Sequence, residues 1–197
     1  GRHRQQTKGF SYRGLALRRI MQYLPSQYLG YALDIARQIQ EVSDRVMGLI
    51  ALAKYFPELW PEALSMTRTI KDESSRSSAL IELANHLPEL WPEALSMTRK
   101  IKDEYLRSSA LRALAKHLPT ELWPEALSMT REIEGESARS HALRALAKHL
   151  PAELLPEVLN MAREIEDKSP RSYALIALAK YFPELWPEAL SVTREIE

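Results

Sequence analysis

The sequence contains no cysteine and only six glycines in 197 residues. Without cysteine, disulfides, thiolate metal sites and cysteine nucleophiles are excluded. Neither sign of charge dominates, because 27 basic residues face 26 acidic ones and the formal net charge is +1. This balance does not indicate bulk attraction to nucleic acid or to an anionic membrane. No apolar run approaches the roughly 20 residues that a membrane helix needs, and no signal peptide is recognisable. We therefore expect a cytoplasmic protein with no membrane partner.

An internal repeat of 31 or 32 residues organises the chain. Each copy begins with a block of 13 residues that runs from an arginine to a proline. The clearest copies span residues 76–88, 107–119, 139–151 and 171–183, and looser ones span 13–25 and 45–57. A second block follows each proline, as at residues 58–70. Thr120 and Ala152 are extra residues just after the proline, where we expect a loop to absorb them.

Each repeat is predicted to form two helices. In the first block, apolar residues fall at positions 3, 4, 7, 8 and 11 after the arginine, which is the stripe of an amphipathic helix. We expect Ser74 or Ser75 to cap this helix in the third repeat, and Pro88 to end it. The second helix carries its own stripe from Leu90 to Ile101, with Pro92 in the first turn.

The residue three after the arginine is small in every copy. It is Gly48 in the second repeat and alanine in the others, so we interpret it as a site of close helix approach. A single hairpin cannot bury its stripe, whereas stacked copies can. The sequence therefore predicts an all-α fold, a right-handed α-solenoid of six helix-turn-helix repeats with about twelve antiparallel helices. We expect a flexible linker at residues 1–10 and one repeat domain at 11–197, with repeats starting near residues 11, 43, 74, 105, 137 and 169.

The pattern Arg-x-x-Ala-Leu-x-x-Leu-Ala-x-x-Leu-Pro, followed by Glu-Ala-Leu-x-Met-x-Arg-x-Ile, resembles short HEAT-like and TPR-like repeats of bacterial multidomain signalling proteins. The resemblance covers residues 11–197. The copies are shorter than TPR motifs and lack the Trp-Leu-Gly-Tyr signature, so TPR ligands are not carried over. The resemblance implies a protein-binding, sensor or docking segment, with any enzymatic module outside this stretch.

Two arginines recur in every copy, and we interpret both as parts of stacking ladders. One leads the first helix, and the other lies in the second helix, at 37, 68, 99, 131, 163 and 194. Their expected partners are the glutamate of the Pro-Glu-Ala-Leu segment and the acidic residue before each first helix. An anion-binding strip is the alternative. The tryptophan of the second helix is replaced by Leu155 in the fifth copy, which favours packing over ligand stacking.

The first helix varies most on the side opposite its stripe, where basic residues alternate with apolar ones. We predict that this side lines a groove and binds a partner. The candidate partner-binding strip comprises Met47, Ile50, Lys54, Ile81, Arg112, Lys116, His141, Arg144, Lys148, Tyr173, Ile176 and Lys180. We expect Ile50, Ile81 and Ile176 to be exposed.

The strip predicts a scaffold that binds an acidic or amphipathic peptide or protein. Binding of nucleic acid or another polyanion is an alternative, although the near-zero net charge speaks against it. A second alternative is a passive spacer that binds no ligand. A solvated charged face is the simpler explanation for any single residue of the strip.

No catalytic, metal-binding or cofactor-binding motif is recognisable, so we predict that the chain is not an enzyme and has no cofactor. His86, His117 and His149 recur at the repeat spacing, about 10 Å apart in stacked helices. Metal bonds are near 2 Å, so we assign these histidines to packing or to a groove edge.

The two ends of the array differ. The first copy diverges from the rest, as capping repeats do. The sequence stops at the end of a repeat without a polar cap, which predicts further repeats in a longer protein or end-to-end self-association.

Overall fold

The computed structural model describes residues 13–196, and the regular structure in this range is entirely helical. The predicted linker at residues 1–10 lies outside the described residues. The chain divides into two compact units, residues up to His86 and residues from Leu87 onward. Helices of both units follow one another as hairpins, so the fold is the predicted all-α solenoid class. No described helix combines the length and the apolar character needed to cross a membrane.

The described part of the first unit contains five α-helices. They are α1 (Arg13–Ile20), α2 (Leu29–Gln38), α3 (Val42–Ala53), α4 (Trp60–Thr69) and α5 (Glu73–Ala84). Helix α3 packs against α1 on one side and α5 on the other, so the first helices of successive repeats are neighbours. Helix α2 and helix α4 also pack against α3, in a second layer.

Between residues 87 and 196, the second unit contains seven α-helices. They are α6 (Trp91–Lys100), α7 (Glu104–Ala115), α8 (Trp123–Arg131), α9 (Glu136–Ala147), α10 (Leu155–Arg163), α11 (Lys168–Ala179) and α12 (Trp186–Arg194). Helix α9 lies between α7 and α11 in a layer of first helices. All these first helices begin within two residues of the predicted repeat starts.

Acidic side chains begin most first helices. Asp72 accepts a hydrogen bond from the backbone N–H of Ser75 at 2.7 Å, and Glu41, Asp103 and Asp167 cap their helices in the same way. The predicted serine cap at Ser74 or Ser75 is therefore wrong, because both serines lie inside α5. These four acidic residues serve the helix N-termini, where an anion is favoured.

The prolines mark the start of each second helix more than the end of the first. Helix α5 ends at Ala84, and Pro88 opens a 3₁₀ turn (Pro88–Leu90) that leads into α6. In the fourth and fifth repeats, Thr120 and Ala152 take the first position of this turn and the preceding proline moves to its N-cap. The turn absorbs the extra residue, as predicted.

The predicted apolar stripes form the core of both units. The leucine four residues after the leading arginine is fully buried in five of the six repeats and 3% exposed in the first. Each buried leucine contributes about 1.5–3 kcal/mol relative to an exposed one. The predicted second-helix stripe from Leu90 to Ile101 is buried as well. Trp91 and Trp123 are 3% and 2% exposed, whereas Trp186 in the last hairpin is 38% exposed.

The small residue three positions after the leading arginine faces the preceding repeat. A Cβ built on Gly48 lies 3.4 Å from the Cβ of Ala36 and 3.6 Å from Leu17, both in the first repeat. Ala142 and Ala174 are fully buried at the same position, whereas Ala16 in the first described helix is exposed. Close approach of successive repeats therefore explains the residue size.

The second-helix arginines form the predicted ladder. Arg163 binds Glu188 of the next repeat through two hydrogen bonds of 2.7 Å. The equivalent pairs Arg37–Glu62, Arg99–Glu125 and Arg131–Glu157 have N–O distances of 3.4, 3.7 and 3.5 Å. In each pair both side chains remain about a third to a half exposed, so each contributes little stability alone. The ladder nevertheless neutralises these recurrent cations.

Two leading arginines, Arg45 and Arg171, have partners different from those expected. Nε of Arg45 donates to the backbone carbonyl of Ile39 at 2.6 Å, and Nη1 of Arg171 donates to that of Ile165 at 3.2 Å. Both carbonyls lie just beyond the second helix of the preceding repeat, where helix carbonyls lack partners. For Arg45 and Arg171 a backbone carbonyl thus takes the place of the expected acidic N-cap partner, whereas Arg107 lies 3.7 Å from Glu104, the first residue of its own helix.

A larger side chain three residues after the leading arginine should destabilise the packing of successive repeats. Replacing Ala142 by leucine forces three extra carbon atoms into a fully buried interface and should lower the free energy of unfolding by about 1–3 kcal/mol. Ala152→Leu makes the same change at an exposed site and should alter it by less than about 0.5 kcal/mol. Urea denaturation followed by circular dichroism measures both, and equal stability of the two variants would contradict this packing.

Candidate functional site

The variable side of the first helices forms one groove in each unit. The groove of the first unit has a volume of about 480 Å³ and is lined by α1, α3 and the turns that follow them, with Glu82 of α5 at its edge. The groove of the second unit has a volume of about 410 Å³ and is lined by α7, α9, α11 and residues just beyond them. Nine of the twelve predicted strip residues line one of these two grooves, whereas Ile81, Tyr173 and Ile176 line neither.

The groove of the first unit has an apolar floor and a basic rim. Met47 and Ile50 lie in the floor with Leu15 and Met21, and Lys54 lies at the rim. Arg18 at the rim is already paired with Glu82, at an N–O distance of 3.1 Å.

The prediction that Ile50 and Ile81 are exposed is wrong, since they are only 1% and 3% exposed. Helices α1 and α5 flank α3, and a short isoleucine side chain on α3 ends between them. Arginine stems at the equivalent position in other repeats extend past the flanking helices to water. Ile50 still lines the groove, whereas Ile81 does not.

The groove of the second unit is basic. Six predicted strip residues line it, and five of them are cationic: Arg112, Lys116, Arg144, Lys148 and Lys180, with His141 as the sixth. No carboxylate is among its lining residues. Ala145, Ala177, His149 and Tyr181 complete the lining. The groove thus presents five positive charges on a chain whose formal net charge is +1.

These five cations differ from the recurrent arginines in being uncompensated. Among the described residues, no carboxylate lies within ion-pair distance of any of the five. The ladder arginines of the same unit, Arg99, Arg131 and Arg163, each have a glutamate partner. Unpaired cations on concave surface focus a positive potential and attract anions.

His141 ties two first helices together within the basic groove. Nη2 of Arg112 donates to Nε2 of His141 at 2.7 Å, and Nδ1 of His141 lies 2.8 Å from Oγ of Ser108. Ser108 donates its own proton to the carbonyl of Tyr105 at 2.9 Å. Since arginine can only donate, the contacts require a neutral His141 with its proton on Nδ1.

Electrostatics favour this neutral form. Burial, followed by the charges of Arg112 and Arg144, lowers the pKa of His141 below its ordinary value. Burial also lowers the pKa of His149, with smaller contributions from Lys148 and Lys116. At neutral pH the positive charge of the groove therefore resides on arginine and lysine.

Arg144 is oriented by an aromatic ring. Its guanidinium carbon lies 5.6 Å from the centroid of Tyr173, within the range of a cation–π interaction. Tyr173 is 55% exposed and does not itself line the groove. Ile176 is half-buried and not part of the lining, which corrects its predicted exposure.

The recurrent histidines serve different contacts. His149 lines the basic groove, in agreement with the predicted groove-edge role. His86 instead packs against Trp60 of the preceding repeat, with ring centroids 5.1 Å apart. Between residues 13 and 196, no cluster of three or more histidine or acidic side chains has the geometry to hold a metal ion.

The architecture defines an array of helical hairpins with grooves on the variable side of its first helices. Comparison of the chain with protein-family models, with curated proteins and with solved structures gave no match in any of the three. The function is therefore argued from the grooves themselves.

The surroundings of His141 in the groove should lower its pKa relative to that of a free histidine. We expect NMR of its ring nitrogens to show the Nδ1–H tautomer at neutral pH and a pKa below that of the unfolded chain. Arg112→Met removes a nearby positive charge and should raise this pKa, whereas Arg131→Met on the ladder should leave it unchanged.

The same shift predicts how stability depends on pH. Folding lowers the pKa of His141, so neutral His141 makes its full contribution to the free energy of unfolding at pH values above the pKa of the unfolded state. This contribution is lost as the pH falls from the pKa of the unfolded state to that of the folded state. A His141 pKa at or above the unfolded value would contradict the contacts with Arg112 and Ser108.

Proposed function

We propose that this chain is a protein-interaction segment that binds an acidic stretch of a partner protein in the basic groove of its second unit. The observation that carries the proposal is the set of five cations without carboxylate partners on α7, α9, α11 and the turns that follow them. An acidic partner would supply the missing counter-charges, and charge complementarity of this kind speeds association and selects partners.

The shape of the site supports an extended peptide. Three adjacent first helices contribute to the groove, and successive interaxial distances of about 8–10 Å make it about 16–20 Å long. Ala145 and Ala177 leave room between the charged side chains, and Tyr181 adds an aromatic edge. A peptide lying across the helices would contact the same positions in successive repeats.

The groove of the first unit supports an amphipathic ligand. Leu15, which is 41% exposed, and half-buried Met47 offer contact area to hydrophobic side chains, while Arg19 and Lys54 stand at the rim. Apolar anchors flanked by acidic residues would match both features.

The repeat pattern supports the same class of function. Its resemblance to HEAT-like and TPR-like repeats of bacterial signalling proteins implies a cytoplasmic docking or sensor segment. Nucleic acid is the competing ligand class, because the cations would also attract phosphodiesters. A passive spacer would have no use for five cations that have no carboxylate partner within the array.

A selection from random twelve-residue peptides tests the proposal. We expect peptides selected on the chain to be enriched in aspartate and glutamate. Arg144→Glu combined with Lys148→Glu should abolish the enrichment, because the reversed charges repel acidic ligands. Lys100→Glu combined with Lys102→Glu makes the same charge change outside the groove and should preserve it.

Two results would contradict the proposal. One is a selection without acidic enrichment. The other is full displacement of the selected peptides by single-stranded RNA at lower concentration than by an acidic peptide, which would favour nucleic-acid binding.

A further inference from the structure

We infer that the basic groove selects phosphorylated serine or threonine side chains of its partner over aspartate and glutamate. This inference rests on the proposed function, since it names the chemistry of the acidic partner. It follows from the number of cations, from their spacing and from the way that two arginines are held.

The charge of the groove exceeds what carboxylates can match. An extended peptide advances about 3.3 Å per residue and turns alternate side chains to the same face. About three side chains would thus face a groove of about 16–20 Å. Three carboxylates bring a charge of −3 to five cations, whereas three phosphoserines bring about −4.5 to −6. Phosphomonoesters therefore balance the groove.

The charge carried by each phosphate group also distinguishes phosphomonoesters from nucleic acid as ligands. A phosphodiester carries one negative charge, so a single strand offers no more charge per phosphate than a carboxylate does. The dianionic group concentrates its charge on three oxygens at one point. The groove gathers its five cations along about 16–20 Å, because α7 and α9 contribute Arg112 and Arg144, and a lysine follows each of α7, α9 and α11.

Both arginines are held in place before any ligand binds. Arg112 donates to His141 through Nη2, and the guanidinium of Arg144 lies over the ring of Tyr173. A fixed planar guanidinium can bind two phosphate oxygens at once, which gives geometric selectivity that lysine lacks. Orienting a side chain in advance lowers the entropy cost of binding.

Three fluorescein-labelled peptides of the form Gly-Xaa-Gly-Xaa-Gly-Xaa-Gly test the inference, with Xaa as phosphoserine, aspartate or serine. Fluorescence anisotropy with the full chain at pH 7.5 measures each affinity. We expect the phosphoserine peptide to bind at least about tenfold more tightly than the aspartate peptide. The serine peptide should not bind measurably.

A charge-conserving variant tests the role of the arginines. Arg112→Lys combined with Arg144→Lys keeps all five charges but removes both guanidinium groups. We expect affinity for the phosphoserine peptide to fall about tenfold and affinity for the aspartate peptide to fall less than about threefold. The control, Arg131→Lys combined with Arg194→Lys on second helices, should change neither affinity.

The outcomes separate the two proposals. Equal or tighter binding of the aspartate peptide would overturn the phosphate inference and leave the proposed acidic partner in place. Failure of both charged peptides to bind, together with a selection lacking acidic enrichment, would overturn both. A single-stranded RNA heptamer that binds more tightly than the phosphoserine peptide would overturn the inference in favour of phosphodiesters. The comparison of peptides uses the unaltered chain, so it stands even where a variant folds poorly.

Discussion

Burial of the apolar stripe between successive hairpins is the interaction on which the rest of each unit depends. The leucine four residues after the leading arginine is almost completely removed from water in every repeat, and no single hairpin has a second surface to cover it. This requirement fixes the small residue that faces the preceding repeat and the spacing of the first helices. Through that spacing it also determines which variable side chains come together in a groove.

Stacking divides the charged residues into two groups. Four of the arginines that recur on the second helices are each paired with a glutamate of the next repeat, as Arg163 is with Glu188. Acidic residues before the first helices accept hydrogen bonds from backbone N–H groups. The variable cations of α7, α9 and α11 take part in neither arrangement, so their charge remains available to a ligand. A near-zero net charge thus coexists with a strongly basic groove, because neutralisation is local.

Repetition made the fold and much of the ladder predictable from the sequence. A 31- or 32-residue period with two helical stripes specifies hairpins, and the recurring Arg–Glu positions predicted pairs that the structure contains. Exposure of Ile50 and Ile81 was predicted wrongly. Helical periodicity describes the faces of one helix, and it does not show whether neighbouring helices bury a residue on the opposite face. The contact between Arg112 and His141 joins residues 29 apart, and only an alignment of the repeats position by position would have suggested it. His149 was predicted at packing contacts or a groove edge and lines the groove, whereas Tyr181, at the equivalent position of the last repeat, was not part of the predicted strip.

The most direct measurement is the response of arginine side-chain N–H signals in ¹⁵N NMR spectra as an unlabelled acidic oligopeptide is added. The central claim is that cations of the basic groove are free for a ligand while ladder arginines are occupied. It predicts saturable shifts for Arg112 and Arg144 and none for Arg131 and Arg163. Shifts confined to the ladder arginines, or equal for all four, would show that the ligand competes for the stacking pairs, and would contradict the account.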